Sequence, residues 1–427
     1  MPQWLPSQRE LDDLDLLVND SFSPPLKGFV GPDPASDADP ISLVVSAQAA
    51  EVAIGVGSLD LVDPEGSPLA RVAVTGSYDS GDGWVGLAGP VEQLGRGEFG
   101  PFRHLHRSPA DLHERYDAGT LLAVPVTRPL TLADIAAITD RAHESGRTPL
   151  LLACVGEGMP DGVSGPALVR ATLQAAALVG LETQVVAVSV ADHGWDGPHG
   201  EWRSANHWLL ASVAAAFADS VVELDDAAQG PRPEAIEAIV TRDRPPRDSQ
   251  GVVVFFTGLS GSGKSTLARA LIDHILEDGE RTVTSLDGDV VRHHLSKGLG
   301  FSREDRETNI ARIGFVAAEI SRHGGVAVCS PIAPFESTRA QVRQMVERAG
   351  GGFVLVHVAT PLEECERRDR KGLYAKARAG QISDFTGISS PYETPAKAIK
   401  IDTTNRDIAQ CLDELLDALA ADGWLHR

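Results

Sequence analysis

The chain has 427 residues, and its 38 Lys+Arg and 60 Asp+Glu give a formal net charge of −22 at pH 7. Residues 1–249 hold 16 basic and 36 acidic residues, a net charge of −20, so the remainder of the chain carries −2. This balance excludes the basic surface that nucleic-acid binding requires, and a hydrophobic content of 42% is ordinary for a globular protein.

The four cysteines lie far apart and lack the spacing of a zinc site, which predicts free thiols in the reducing cytoplasm. No apolar run approaches the ~18 residues that span a bilayer. The acidic start "MPQWLPSQRELDDLDLL" does not have the pattern of a signal peptide. We therefore expect a cytoplasmic protein without a membrane partner.

Short runs rich in β-branched residues, such as "ISLVVSA" and "ARVAVTG", alternate with turn residues and predict a small β-rich domain at residues 1–112. From "LLAVPVT" onward strands alternate with helices, which predicts a parallel sheet over residues 113–240. The polar, Pro-containing stretch 241–250 is interpreted as a linker. Alternation resumes over residues 251–427, so we predict a second α/β domain whose parallel sheet is flanked by helices.

The stretch "TGLSGSGKST" follows an apolar strand and begins a helix, which is the context that a phosphate-binding P-loop requires. Glycines let backbone N–H groups surround phosphate oxygens, and the helix N-terminus adds partial positive charge. Lys264 is expected to act on the terminal phosphates of ATP as a catalytic residue, and Ser265 to bind Mg²⁺. The alternative is a Gly-rich turn that binds nothing. The predicted ATP-binding residues are Gly258, Leu259, Ser260, Gly261, Ser262, Gly263, Lys264, Ser265 and Thr266.

The stretch "SLDGDVVRHHL" places Asp287 and Asp289 at the end of the next predicted strand, where ligands of open α/β sheets bind. A carboxylate there could bind Mg²⁺ or accept the proton of an attacking hydroxyl. The alternatives are that Asp289 is a helix N-cap, or that it forms a surface ion pair with Arg292 on the same helix face.

Arginines near a phosphate loop suggest an acceptor that is itself an anion. In "GFSREDRETNIARIG", Arg306 and Asn309 share one helix face, while Phe301 could stack on a base or belong to the core. Lys371 lies in "DRKGLYAKARAGQISDFTGI", which breaks helical periodicity. We interpret this stretch as a mobile lid, with a solvated basic loop as the alternative.

Together these segments resemble adenylylsulfate kinase. "GLSGSGKST", "LDGDVVRHHLSKGLGFSREDRETNIARIG", "RKGLYAKARAGQISDFTGI" and "YETP" match the signature segments of that family in order and spacing over residues 250–421. The resemblance implies that MgATP phosphorylates the 3′-hydroxyl of adenosine 5′-phosphosulfate (APS) to give the sulfate donor PAPS. It also implies that Asp289 is a catalytic residue near Mg²⁺ and the 3′-hydroxyl, and that Phe301 and Phe385 enclose the acceptor adenine. The implied APS-binding residues are Asp287, Arg292, Phe301, Arg306, Asn309, Ile332, Lys371 and Phe385.

The chain departs from this family in "PIAPFESTR". Ala333 stands at a serine that is proposed to be phosphorylated in the family, and Glu336 stands at an arginine. A covalent phosphoserine route is therefore excluded at Ala333, whereas direct in-line transfer does not need it. Arg339 is expected to remain nearby as a cation.

The front half resembles ATP sulfurylase through "RELDDLDLLVNDSFSPPLKGFVG", "LAGPVEQL" and "RSPADLHERY". This resemblance implies a PUA-like β domain followed by the remnant of a Rossmann-like nucleotidyltransferase. Thr131 and Asp134 in "VPVTRPLTLAD" stand where two nucleotide-binding histidines are expected, and Leu224 and Asp226 replace a later Arg and His. Because an anionic Asp repels a triphosphate, we expect a degenerate, shortened domain without sulfurylase activity.

Four functions are compatible with the sequence: an APS kinase with a degenerate front domain, a bifunctional PAPS synthase, a non-catalytic protein that binds PAPS or APS to regulate a partner, and another small-molecule kinase. The intact Lys264 and Ser265 favour an enzyme. Both resemblances imply a homodimer, and the front domain could also dock a separate ATP sulfurylase.

Overall fold

The computed structural model describes residues 1–31, 41–95, 100–194, 202–224, 230–300, 302–382 and 384–425, except for the side chains of residues 202–205, 289 and 290. The chain divides into two compact units, Met1–Asp243 and Arg244–Arg427, and each is described by itself. Throughout these ranges, every helix is too short or too polar to cross a bilayer.

The N-terminal unit begins with a mainly antiparallel sheet. Its strands within the described residues are β1 (Gln3–Trp4), β2 (Gly28–Phe29), β3 (Leu43–Ser46), β4 (Ser58–Val62), β5 (Pro68–Ala73), β6 (Gly76–Gly81) and β7 (Trp84–Gln93). The order is β1-β4-β5-β7-β2, and β3 and β6 also pair with β7. Helices α1 (Gln8–Val18) and α2 (Ala47–Val56) accompany this sheet. The predicted β-rich region is confirmed.

A parallel sheet with the order β10-β9-β8 completes this unit. The strands of this sheet are β8 (Leu121–Val126), β9 (Thr148–Cys154) and β10 (Gln184–Val188). The helices in the same part of the chain are α3 (Pro109–His113), α4 (Leu132–Ser145), α5 (Gly165–Val179), α6 (Trp202–Phe217) and α7 (Glu234–Asp243). Leu43 and Leu61 share one hydrophobic core with Leu152 and Phe217, so the two sheets of the unit are packed together. The boundary at residue 112 therefore stays a prediction, as does the linker, into which α7 extends.

The C-terminal unit contains a parallel sheet with the order β12-β13-β11-β14-β15. The strands are β11 (Val252–Thr257), β12 (Val283–Leu286), β13 (Val326–Cys329), β14 (Gly352–Val358) and β15 (Ile399–Ile401). The helices are α8 (Lys264–Asp278), α9 (Gly288–His294), α10 (Arg303–Arg322), α11 (Glu336–Arg348), α12 (Leu362–Arg368), α13 (Leu373–Arg378) and α14 (Ile408–Ala421).

Strand β11 lies at the centre of this sheet, and all of its residues are buried. Because successive side chains of a strand point to opposite faces, they enter two different cores. Val252, Val254 and Phe256 pack with α8 and α14, whereas Val253 and Phe255 pack with α10 and α11. Burial on both faces explains the continuous apolar run, and the predicted α/β fold class is confirmed.

Two helices carry segments that the sequence predicted to form the site. Helix α10 begins at Arg303, because Ser302 caps it by accepting a hydrogen bond from Asp305 N at 3.1 Å. The stretch interpreted as a lid contains the short helix α13, and its mobility stays a prediction. Tyr374 of α13 packs in a small core with Phe385, which the break in long-range periodicity did not reveal.

Candidate active site

The carboxyl ends of the five parallel strands face a cavity of about 930 Å³. Its walls are the loop after β11, Asp287 after β12, residues 330–334 after β13, helix α12 after β14, and residues 403 and 405–408 after β15. Ligands of open α/β sheets bind at this edge of the sheet. Its volume lies near the upper end of the range for ligand sites, about 300–1,000 Å³.

The loop between β11 and α8 uses glycine where a side chain has no room or would be strained. Gly258 has φ 145°, and a Cβ there would lie 2.5 Å from the carbonyl oxygen of Val358. Gly261 (φ 75°) and Gly263 (φ 105°) also adopt positive φ, which glycine tolerates without strain. The backbone can therefore approach an anion closely at the N-terminus of α8.

Lys264 is the first residue of α8, and its side chain is buried. Its Nζ donates a hydrogen bond to the carbonyl oxygen of Leu259 at 2.7 Å, within the loop. Burial lowers the pKa of Lys264 to about 8, although Cys365 and Asp287 nearby act in the opposite direction. A phosphate beside Nζ would favour the charged form, so this lysine is suited to bind an anion.

Oxygen groups line the same cavity beside the loop. Asp287 follows β12, and Ser330 Oγ, which follows the neighbouring strand β13, donates to Asp287 Oδ2 at 3.1 Å. Ser265 contributes a hydroxyl to the lining. Asp289 lies in the first turn of α9, and its side chain lies outside the described residues.

Three predicted acceptor-binding residues reach the cavity from α9 and α10, namely Arg292, Arg306 and Asn309. Arg292 Nη1 donates to the carbonyl oxygen of Gly300 at 3.0 Å, and Arg306 Nη1 donates to Thr386 Oγ1 at 3.2 Å. Arg306 Nε and Asn309 Oδ1 are buried and have no hydrogen-bond partner among the described residues. Because buried polar atoms are rarely unpaired, these two atoms indicate a polar ligand.

Most of the predicted site residues lie around this cavity. From the loop and its helix, the lining residues are Ser260, Gly261, Gly263, Lys264, Ser265 and Thr266. From the predicted acceptor set, they are Asp287, Arg292, Arg306, Asn309, Ile332 and Lys371. The predicted loop residues Gly258, Leu259 and Ser262 are not part of this lining.

The two predicted aromatic residues have different outcomes. Phe385 packs edge-to-face against Tyr374, with ring centroids 4.9 Å apart, and does not belong to the described cavity lining. Phe301 lies outside the described residues. Their placement on either side of an adenine therefore stays a prediction.

Sequence reasoning missed polar residues that follow β14 and β15. Arg368 donates to Thr403 Oγ1 at 2.8 Å and to the carbonyl oxygen of Thr403 at 2.9 Å. Thr403 Oγ1 also donates to the carbonyl oxygen of Ser262 at 2.9 Å, which bonds this segment to the phosphate loop. The signal was present in "AIKIDTTNRD", because polar residues that follow a parallel strand lie at the ligand-binding edge.

Comparison with known proteins identifies the family of this site. The family model described as adenylylsulphate kinase matches residues 250–402. Residues 250–402 belong to the adenylylsulphate kinase family. The resemblance inferred from the sequence segments is confirmed for this part of the chain.

The sulfate adenylyltransferases of Neosartorya fischeri and Aspergillus fumigatus are each 49% identical to this chain over 196 residues, which is 46% of this chain and 34% of the relative. The chain thus spans about a third of the length of these curated relatives. The hexameric APS kinase from Thiobacillus denitrificans has a TM-score of 0.72 and 28% identity, and the match covers 100% of this chain and 94% of that one. The Mycobacterium tuberculosis APS kinase in complex with AMPPNP and APS is 44% identical over 41% of this chain and 99% of that one, with a TM-score of 0.39.

The sequence resemblance predicts a departure from the family at Ala333 and Glu336, and the structure gives the surroundings of both residues. Ala333 is buried and has φ 44°. Arg339 is 1% exposed and pairs with Glu336 Oε2 at 2.7 Å. Arg339 lies next to Ala333, but Glu336 and backbone carbonyls bind its guanidinium, and it is not part of the described cavity lining.

In the N-terminal unit, the two positions expected to carry sulfurylase histidines form a helix cap. Thr131 Oγ1 accepts a hydrogen bond from Asp134 N at 3.2 Å, and Asp134 Oδ2 accepts one from Thr131 N at 2.8 Å. Arg128 Nη1 donates to the same carboxylate at 2.8 Å. Although burial raises the pKa of Asp134, the hydrogen bonds from Arg128 and Thr131 hold it below its usual value. Thr131 and Asp134 thus form the N-terminal cap of α4.

The later pair of replaced residues is only partly described. Leu224 packs at the edge of the core that contains α4 and α5, and Asp226 lies outside the described residues. An aliphatic side chain at position 224 cannot donate a hydrogen bond to a phosphate.

Proposed function

We propose that residues 251–427 are an adenylylsulfate kinase that converts ATP and APS to ADP and PAPS. The observation that carries the proposal is a single cavity in which a phosphate loop faces two buried, unpaired polar atoms, Arg306 Nε and Asn309 Oδ1. The loop accounts for a nucleotide triphosphate, and the unpaired atoms account for a second, polar ligand beside it. The family of residues 250–402 agrees with this pairing of ligands.

Each group in the cavity has a proposed role. The loop amides and Lys264 hold the phosphates of ATP, and Arg306 and Arg292 donate to the phosphosulfate end of APS. Asn309 Oδ1 is an acceptor, so its proposed partner is a hydroxyl or amino group of APS. The 3′-oxygen of APS bonds to the γ-phosphorus while the bond from that phosphorus to the ADP oxygen breaks. Asp289 is the proposed acceptor of the proton that leaves the 3′-hydroxyl.

The residues present fit Mg²⁺, which the family implies. The described residues contain no cluster of three or more His, Cys, Asp or Glu that could bind a metal ion. Mg²⁺ does not need one, because it is usually bound through one or two carboxylates, water and substrate phosphates. Ser265 and Asp289 are the proposed ligands, with Asp287 beside them. When bound, the ion neutralises charge on the phosphate oxygens.

The decisive experiment incubates the purified protein with MgATP and APS and detects PAPS by chromatography. Lys264→Ala is expected to reduce the rate by about 100-fold or more, because it removes a charge that stabilises the transferred phosphoryl group. Arg306→Ala is expected to raise the KM for APS by about tenfold or more, with the KM for ATP nearly unchanged.

Arg322→Ala is the matched control, since this exposed arginine lies at the other end of α10 and bonds only to Glu319 in the described contacts. Absence of PAPS with the unmodified protein contradicts the proposed reaction. An unchanged KM for APS in Arg306→Ala contradicts the proposed acceptor site.

We also propose that the N-terminal unit has no sulfurylase activity. The capping role of Thr131 and Asp134 supports this, because neither side chain is available as a cationic or hydrogen-bonding ligand of a triphosphate. A bifunctional PAPS synthase is the second candidate, since curated relatives carry the name sulfate adenylyltransferase. Sulfate-dependent exchange of pyrophosphate into ATP decides between them, and detectable exchange by the purified protein identifies the bifunctional enzyme.

The proposal includes a homo-oligomer in the cytoplasm. All four cysteines are free and buried, which agrees with a reducing compartment. The two family resemblances imply a dimer, whereas the Thiobacillus denitrificans relative is described as hexameric. Light scattering coupled to size-exclusion chromatography distinguishes these masses, and co-elution with a separate ATP sulfurylase tests whether the N-terminal unit docks one.

A further inference from the structure

The wall of the cavity formed by residues 330–334 contains a backbone conformation that needs external support. Ala333 lines the cavity, is 1% exposed and has φ 44°. An L-residue at positive φ is strained, and such a conformation persists only where surrounding contacts determine it. The contacts of Ala333 should therefore show what keeps this wall in place.

Two side chains bind the Ala333 carbonyl oxygen. Arg339 Nη1 donates to it at 2.7 Å, and Thr257 Oγ1 lies 3.1 Å from it. Thr257 Oγ1 is also 2.7 Å from the carbonyl oxygen of Ile332, the preceding residue of the wall. Thr257 ends β11, so these contacts join the wall to the start of the phosphate loop.

The guanidinium of Arg339 also binds a carboxylate and a second backbone carbonyl group. Its Nη2 donates to Glu336 Oε2 and to the carbonyl oxygen of Glu393, both at 2.7 Å. Glu393 N donates to the carbonyl oxygen of Pro334 at 2.9 Å, so the far end of the wall is bonded to the same segment. A buried guanidinium needs such partners, and here they connect two separate stretches of chain, residues 333–339 and the segment that contains Glu393.

Tyr392 completes the arrangement. Its hydroxyl lies 3.0 Å from Thr257 Oγ1, and its ring stacks on His357 with centroids 5.5 Å apart. Arg339 lies outside the cavity lining, so it acts on a ligand only through the wall.

We propose that Arg339 is a positioning residue that holds Ala333 in its strained conformation and thereby preforms the wall against which the APS acceptor binds. The inference rests on the proposed kinase function. The wall lines the cavity together with Arg306 and Asn309, the proposed acceptor-binding residues, whereas Lys264 belongs to the phosphate loop. Loss of Arg339 should therefore weaken the binding of APS more than the binding of ATP.

The test measures KM for APS and for ATP, with kcat, in Arg339→Met. The expected result is a rise in the KM for APS of about tenfold, because one charge-assisted hydrogen bond to the wall is lost, with the KM for ATP changed less than about threefold. Adding Ala333→Gly to Arg339→Met should recover at least half of the lost APS affinity, because glycine adopts positive φ without strain. A role in overall stability alone would not be rescued in this way.

Arg281→Met is the matched control. Arg281 also donates to backbone carbonyls, those of Gln250, Gly324 and Trp424, but at the amino ends of the strands. It should leave the KM for APS unchanged. If Arg339→Met does not fold, Tyr392→Phe and Thr257→Val remove single hydroxyls of the same arrangement and should each raise the KM for APS.

Failure of the proposed kinase function and failure of the positioning role of Arg339 give different results in these assays. Failure of the unmodified protein to form PAPS overturns the proposed function. If the unmodified protein forms PAPS and Arg339→Met keeps its KM for APS, or Ala333→Gly gives no recovery in the double variant, the positioning role of Arg339 is overturned.

Discussion

Asn309→Leu should weaken acceptor binding and stabilise the unliganded protein at the same time. Asn309 is 5% exposed, and its Oδ1 has no hydrogen-bond partner among the described residues. A buried polar atom without a partner costs about 1–3 kcal/mol, and leucine has the same branching and number of heavy atoms without a polar atom to satisfy. If a hydroxyl or amino group of APS donates to Oδ1, the affinity of Asn309→Leu for APS should fall by about 10- to 100-fold, from the same range of energies.

Two calorimetric measurements check this prediction. Titration with APS in the absence of ATP gives the Kd, and scanning calorimetry of the unliganded protein should show a Tm higher by about 2–4 °C for each 1 kcal/mol gained. Thr308→Val is the control, because it replaces an exposed polar residue on the same helix. A lower Tm together with an unchanged Kd for APS would refute the reasoning, since Asn309 would then be a structural residue.

Two further predictions concern pH. Because Lys264 has a pKa of about 8 and must be charged to bind phosphate, ADP affinity measured by titration should fall about tenfold between pH 7 and pH 9. Lys264→Arg should flatten the profile, and a flat profile in the unmodified protein contradicts the role. Burial raises the pKa of Asp12 from 3.8 to about 6, so the folded N-terminal unit binds this proton more tightly than the unfolded chain does. The proton bound to Asp12 stabilises the folded unit fully below pH 3.8, and this stabilisation is lost as the pH rises through 6. Asp12→Asn should therefore stabilise the unit at pH 8 by up to about 3 kcal/mol, and by less at pH 4.5, in thermal unfolding. An equal effect at both pH values would mean that the charge is not the cause.

The parts of the site that sequence reasoning predicted are those that local spacing determines. The phosphate loop lies between one strand and one helix, so Lys264 and Ser265 follow from a single short segment. Arg306 and Asn309 are three residues apart on one helix, and helical geometry alone places them on the same face.

The parts that were missed depend on which strands are neighbours. Arg368 meets Thr403 because β14 and β15 pair in the sheet, and no local pattern reveals that pairing. Arg339 and Glu336 look like an ordinary surface pair at helical spacing. Burial of Arg339 depends on Glu393, which arrives from a distant part of the chain.

The helix cap of the N-terminal unit limits which side chains positions 131 and 134 can carry without loss of stability. Replacing Thr131 or Asp134 by histidine would remove one half of the reciprocal cap and lower the free energy of unfolding by about 1 kcal/mol. Loss of Asp134 would also remove the carboxylate that pairs with the nearly buried Arg128. Each single step toward a histidine pair thus weakens the fold before any new ligand-binding group is complete. A variant with histidine at both positions would therefore be reached only through less stable single variants.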